Sequence, residues 1–268
     1  MIYSTKTRAA LALVDAFKKP SNRGAAFFSL SRKEVAEGLK RNLTNPSAID
    51  QADAQLCGPA SLLYSLLQDN PSEYAQFAID LFEKGKARLR ELEVTPCDDL
   101  KKYAPPAGSI NQADWLTLAS IRDSENWAGP FCYDAISHES EAITWPNEVE
   151  RWFRKVGYTN VVNKASKWST QDRNNADEAS RKYDVEEYHV VLLINHGIIS
   201  RSDWDPSHSV FTAPTHYIVL RSRIVIASTV QFKAYSWGDA NTPVPPAGRT
   251  LSLDDFLGNY FGFIAAKF

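Results

Sequence analysis

Cys57 opens the run Cys57-Gly58-Pro59-Ala60-Ser61-Leu62-Leu63, and those neighbours give it a chemistry that an arbitrary cysteine lacks. Pro59 suits the first turn of a helix, where its missing N–H is not needed, and Leu62, Leu63, Leu66 and Leu67 continue a buried face. The thiol therefore stands at a helix N-terminus, beside backbone N–H groups that have no intrahelical acceptor and at the positive end of the helix dipole. Both favour the thiolate. Gly58, Ala60 and Ser61 are small where the backbone must turn sharply and leave the sulfur open. Gln51 lies six residues upstream, and its side-chain N–H together with the Cys57 backbone N–H would make an oxyanion hole. A thiolate beside such a hole is equipped to attack a carbonyl carbon. The competing reading is a small buried apolar cysteine.

The Gln51-to-Cys57 spacing and the Cys57-Gly58-Pro59-Ala60-Ser61-Leu62 segment resemble the active-site segment of the papain-like cysteine peptidase superfamily. The wording is most similar to bacteriocin-processing and effector or toxin domains of bacteria within it. That resemblance implies a histidine at the start of a downstream strand and a third residue, one strand later, that orients the imidazole. Five histidines compete. His138 lies in a polar stretch, His196 in a turn and His208 in a loop, while His189 opens the apolar run Val190 to Ile194. His216, in Pro214-Thr215-His216-Tyr217-Ile218-Val219-Leu220, fits the expected His-aromatic-aliphatic strand start, with His189 its rival. Next comes Tyr235-Ser236-Trp237-Gly238-Asp239-Ala240-Asn241, whose Ser-Trp-Gly is similar to the family's segment beside the orienting residue. The match puts Tyr235 at the orienting position, a departure, because a phenol does not accept an N–H as a carboxylate or amide does. Asp239 is the nearest carboxylate and is expected to orient His216, with Asn241 and Ser236 open. Trp237 either shields that contact from water or is a core residue.

These residues need elements to hold them. Lys6 to Lys19 has helical spacing and stops at Pro20, and Ser31 to Glu34 is a capping box before a helix to about Asn42. Asn45-Pro46-Ser47 closes it. After the Cys57 helix, Asn70-Pro71-Ser72-Glu73 starts another towards Leu89, Asp98 and Asp99 begin a short one, and Asn111 to Asn126 and Trp145 to Val156 read as helical. From about residue 158 the pattern turns to strands: Thr159 to Val162, Tyr188 to Asn195, Thr215 to Arg221, Arg223 to Ser228, Val230 to Trp237 and Phe261 to Ala266. The charged run Ser169 to Glu187 reads as a surface insertion, and Ser200 to Ala213 as a long loop with Trp204 and Phe211 as anchors. Helices first and an antiparallel sheet second is an α+β arrangement. The expected organisation is one papain-like domain over 1–268: a helical extension (1–48), a helical half with the cysteine (49–157) and a sheet half with the histidine (158–268).

Thirty Lys and Arg against 32 Asp and Glu leave a formal charge of −2, which argues against a nucleic-acid partner. No window reaches the ~18 apolar residues of a membrane span. No nucleotide, dinucleotide or metal motif occurs, so no cofactor and no metal are expected. Three cysteines without a Cys-x-x-Cys pair read as thiols of a reducing compartment. Trp115, Trp127, Trp145, Trp152 and Trp168 read as core or rim residues. The resemblance implies a thiol hydrolase of amide bonds, a cysteine protease by default, acting on a protein or peptide. Deamidation or transamidation would use the same machinery, and a non-catalytic binding module on the same scaffold is the rival class. The start lacks the layout of a secretory signal, so the expectation is cytoplasmic synthesis. As a bacterial effector or toxin the protein would leave the cell by a signal-peptide-independent route and have an immunity or chaperone partner.

Overall fold

A computed structural model describes residues 3–19, 24–125 and 144–268, and divides the chain into two compact units, Met1–Thr144 and Trp145–Phe268. The architecture is α+β, with helices in the N-terminal half and an antiparallel sheet in the C-terminal half.

The first unit is built on α1 (Thr5–Lys18), α2 (Arg32–Thr44), α3 (Cys57–Asp69) and α4 (Pro71–Lys84). Ser31 caps α2 by accepting the Glu34 N–H at 3.4 Å. The other half of the expected capping box is replaced: Ser31 N–H donates to Gln112 Oε1 at 2.6 Å, and the Gln112 amide in turn donates to Glu34. Every residue of α3 from Cys57 to Leu67 is buried, as suits a central helix apolar on all sides. α1 and α2 pack against α4: Phe17 of α1 meets Phe82 of α4 edge-on at 5.3 Å, and the guanidinium of Arg32, the first residue of α2, lies over both rings.

α4 stops at Lys84 instead of running to Leu89. Gly85 adopts φ +69°, which ends a helix at little cost for glycine. Beyond it β1 (Ala87–Leu89) and β2 (Leu92–Val94) form a hairpin whose alternation buries Leu89, Leu92 and Val94. α5 (Asp98–Lys102) follows, then one continuous helical stretch made of α6 (Gln112–Asp114), a π turn (Trp115–Ala119) and α7 (Ser120–Ser124).

The second unit begins with α8 (Pro146–Lys155), so this helix, expected with the helical half, belongs with the sheet. Its buried Val149, Trp152 and Phe153 explain why. The strands are β3 (Thr159–Asn163), β4 (His189–Ile194), β5 (His216–Leu220), β6 (Val225–Ile226), β7 (Val230–Ser236), β8 (Asp239–Val244) and β9 (Tyr260–Lys267), with α9 (Arg173–Arg181) and α10 (Leu253–Gly258) between them. Sheet order is β3-β9-β4-β5-β7, with β6 and β8 both pairing β7, so the last strand lies between β3 and β4. All pairings are antiparallel.

The run Ser169 to Glu187 is not a surface insertion. It carries α9, and Ala176, Ala179 and Tyr183 join the core formed by Leu192, Ile194, Ile218, Phe232 and Phe263. The charges that suggested an excursion line the outer face in i,i+4 pairs such as Lys182 with Glu178 and Arg181 with Asp177. In the long loop Trp204 packs on this core as expected, but Phe211 is 90% exposed and anchors nothing.

Candidate functional site

Cys57 is the first residue of α3, and its N-cap, Leu56, offers no side-chain acceptor to the helix. The first intrahelical bond runs from Ala60 N–H to Leu56 C=O at 2.9 Å. Pro59 has no N–H to be satisfied in that first turn. Cys57 is outside any disulfide and only 3% exposed, so the small residues beside it do not leave the sulfur open to solvent as expected: every residue from Cys57 to Leu67 is buried. Gly58 is required by its surroundings, because a Cβ there would come within 2.7 Å of Thr144 Oγ1.

Gln51 is 7% exposed and begins a tight turn in which Ala54 N–H donates to its carbonyl at 3.1 Å. Ala52 in that turn has φ +50°, a left-handed conformation that costs ~1–2 kcal/mol for a residue with a Cβ. The loop is held from below. Asp50 Oδ1 accepts the Ala52 N–H at 2.9 Å, and the Asp50 N–H donates to Asp114 Oδ2 at 3.1 Å. Asp114 is fully buried and also accepts from Arg41 Nη2 at 2.8 Å, Asn42 Nδ2 at 2.7 Å and Asn111. Burial outweighs these donors and pushes its carboxyl up to about 6. This network was not foreseen. Its only sequence trace is Asn111, whose side chain caps the helix by accepting from Ala113 and Asp114 N–H and so aims the carboxylate inward.

In the second unit His216 opens β5 and is 3% exposed. Its Nε2 is 2.8 Å from Ser236 Oγ, and the Trp237 indole stacks on the ring with centroids 4.2 Å apart and planes 12° apart. Burial, with a smaller contribution from His196, pushes the imidazole down to about 3. His196 is itself tied to Thr215 Oγ1 through its backbone N–H at 2.8 Å and its Nδ1 at 2.9 Å.

Trp237 and Gly238 form the two-residue turn between β7 and β8, with φ of +43° and +75°. Two positive φ values match the twist of a hairpin, and Asn-Gly is the usual occupant. A tryptophan there is strained by ~1–3 kcal/mol.

The structure therefore brings His216, Ser236 and Trp237 together, and it places the expected Asp239 elsewhere. Asp239 opens β8 with an exposed side chain whose Oδ1 accepts the Asn241 N–H at 2.8 Å. Ser236 and Asp239 pair across the hairpin turn, and of the two Ser236 is buried and Asp239 exposed. Of the other histidines, His189 stacks edge-on against Tyr158 at 5.7 Å, and His208 lies 3.7 Å and 3.8 Å from the carboxylates of Asp255 and Asp254.

Cys97 is disulfide-bonded, which removes the premise that all three cysteines are thiols of a reducing compartment. Cys132, His138 and Trp127 lie outside the described residues. Trp115 and Trp152 are buried and Trp145 is partly exposed, its ring tilted at 54° to that of Trp168, which at 84% exposed is neither core nor rim. Among the described residues no group of three or more His, Cys, Asp or Glu is placed to hold a metal ion, and no helix is long and apolar enough to cross a membrane. No protein-family model matches the chain, and neither curated proteins nor solved structures yield a match.

Proposed function

We propose that the protein is a papain-like thiol hydrolase of amide bonds, with a protein or peptide as its substrate. Cys57 is the nucleophile. As its Sγ bonds to the amide carbonyl carbon, the thiol proton passes to His216, and the oxyanion is met by the Cys57 N–H and the Gln51 amide. The C–N bond then breaks as His216 returns the proton to the departing amine. Water attacks the thioester, His216 takes its proton, and the thiol is released. Deamidation and transamidation differ only in the leaving group or the acceptor.

The observation that carries this reading is the position of Cys57: a thiol outside any disulfide at the first residue of a 13-residue helix. His216 supports it. Its ring is held at the start of β5, with Nε2 2.8 Å from Ser236 Oγ and one face against the Trp237 indole, as a base with a fixed orientation requires.

The test is the rate at which a small electrophile such as iodoacetamide labels Cys57 at pH 7, in the wild type and in His216→Ala. A wild-type rate above that of a model thiol, lowered at least tenfold in His216→Ala, supports the enzyme. Equal rates in the two proteins sink it and favour a binding module with a structural cysteine. Incubation with protein substrates then separates the chemistries, since a protease creates new amino termini and a deamidase releases ammonia without them.

A further inference from the structure

Asp239, the carboxylate expected to orient His216, is exposed and committed to Asn241. The group within hydrogen-bond distance of the His216 ring is instead the Ser236 hydroxyl, 3% exposed, at 2.8 Å from Nε2. β5 and β7 are neighbours in the sheet, pairing Val219 with Tyr235 and Leu220 with Ala234, so the start of one strand and the end of the other are fixed by main-chain bonds. The serine is thus held by the strands and not by a mobile loop. The next residue is held at a cost. Trp237 keeps φ +43° in a turn that Asn would occupy without strain, and what that conformation gains is the indole lying flat on the imidazole. Hydroxyl and indole thus meet the ring at one edge and on one face.

We infer that Ser236 is the positioning residue of His216: its Oγ accepts the Nε2–H, which fixes the neutral ring as the Nε2–H tautomer and leaves Nδ1 as the basic nitrogen. The inference rests on the reading of His216 as the general base. In the opposite arrangement Ser236 would donate to Nε2, the basic nitrogen would be occupied, and the remaining nitrogen would be a donor unable to accept a proton. A hydroxyl also differs from a carboxylate once the proton has been transferred. It orients the ring without supplying charge to an imidazolium, so the proton taken from the thiol is held only until the amine leaves.

The experiment is 15N NMR of the histidine rings in the full chain, combined with the Cys57 labelling rate. In the wild type the expected result is a protonated Nε2 and a bare Nδ1 for His216 at pH 7. Ser236→Ala should give a mixture of tautomers and slow labelling ~10-fold, the range seen for groups that orient a ligating or reacting histidine. Ser236→Thr, which keeps the hydroxyl, should restore both. A bare Nε2 in the wild type overturns the inference, as does a Ser236→Ala protein with unchanged tautomer and rate. The tautomer is read without any activity. If labelling ignores His216→Ala while the Nε2–H tautomer is present and lost in Ser236→Ala, the hydrolase reading fails and the positioning of the ring by Ser236 stands.

Discussion

Replacing His216 by Gln should flatten the acid side of the stability curve. In the folded chain burial, helped by His196, holds the imidazole at about 3, against the 6.5 of an unburied histidine. Between these values the unfolded chain takes up a proton that the folded ring refuses. The unfolded state then binds more protons, so stability rises with pH across the window and is lost as pH falls from 6.5 towards 3. Each pH unit well inside it is worth about 1.4 kcal/mol, so acidification from pH 7.5 to 4.5 removes about 3 kcal/mol. Against typical total stabilities of ~5–15 kcal/mol that is a large fraction, and it corresponds to a urea midpoint shift on the order of 1–2 M. The assay is equilibrium urea unfolding of wild type and His216→Gln at pH 7.5, 6.5, 5.5 and 4.5. Carboxylates titrate alike in both proteins and cancel in the difference, which should change by about 3 kcal/mol from the first pH to the last. Parallel curves would refute the reasoning. So would a wild-type His216 ring whose NMR signals titrate with a midpoint near 6.5, a measurement that does not depend on the variant folding.

Asp114 should show the opposite sign. Its carboxyl is raised to about 6, so the folded state holds a proton that the unfolded state has lost, and stability falls as pH rises from about 4 to 6, by about 3 kcal/mol in all. Asp114→Asn should remove that slope, and an unaltered slope in urea unfolding would show that the buried carboxyl titrates normally. Gln51→Ala should lower turnover ~10²–10³-fold if its amide meets the oxyanion, and a rate unchanged from wild type takes Gln51 out of the mechanism. Gly262→Ala should destabilise by about 3 kcal/mol or more, because φ is +102° and the added Cβ would come within 2.1 Å of the Lys164 carbonyl oxygen. Thermal or urea unfolding within 0.5 kcal/mol of wild type would contradict that geometry.

The local punctuation was legible. Ser31 caps α2, Pro59 falls in the first turn of α3, Gly157 ends α8 with φ +89°, and the histidine-led Val/Ile runs become β4 and β5. These features depend on a few adjacent residues, which is why a single sequence displays them. Two errors came from the same source. The stretch after Gly85 has enough charge and leucine to pass as helix, and Ser169 to Glu187 enough charge to pass as loop. In both cases long-range burial decided, through Leu89, Leu92 and Val94 in the hairpin and through Ala176, Ala179 and Tyr183 on α9.

The candidate site divides in the same way. That Cys57 heads a helix and that His216 begins a strand follow from residue type and spacing, because helix starts and strand starts are local. Which side chain meets His216 does not follow, since Asp239, Asn241 and Ser236 all lie within a few residues of one another and all can hydrogen-bond. The sheet chose among them. β7 pairs with β5 and ends at Ser236, whose buried hydroxyl meets the ring, while Asp239, beyond the reversal at Trp237-Gly238, is exposed. Asp114, 63 residues beyond Gln51 in the chain, supports its loop for the same kind of reason. The sequence by itself determined which groups can do chemistry and at which element ends they stand. Tertiary structure alone decided their partners and their protonation, because hydrogen-bond register and burial are properties of chain segments that the sequence keeps far apart.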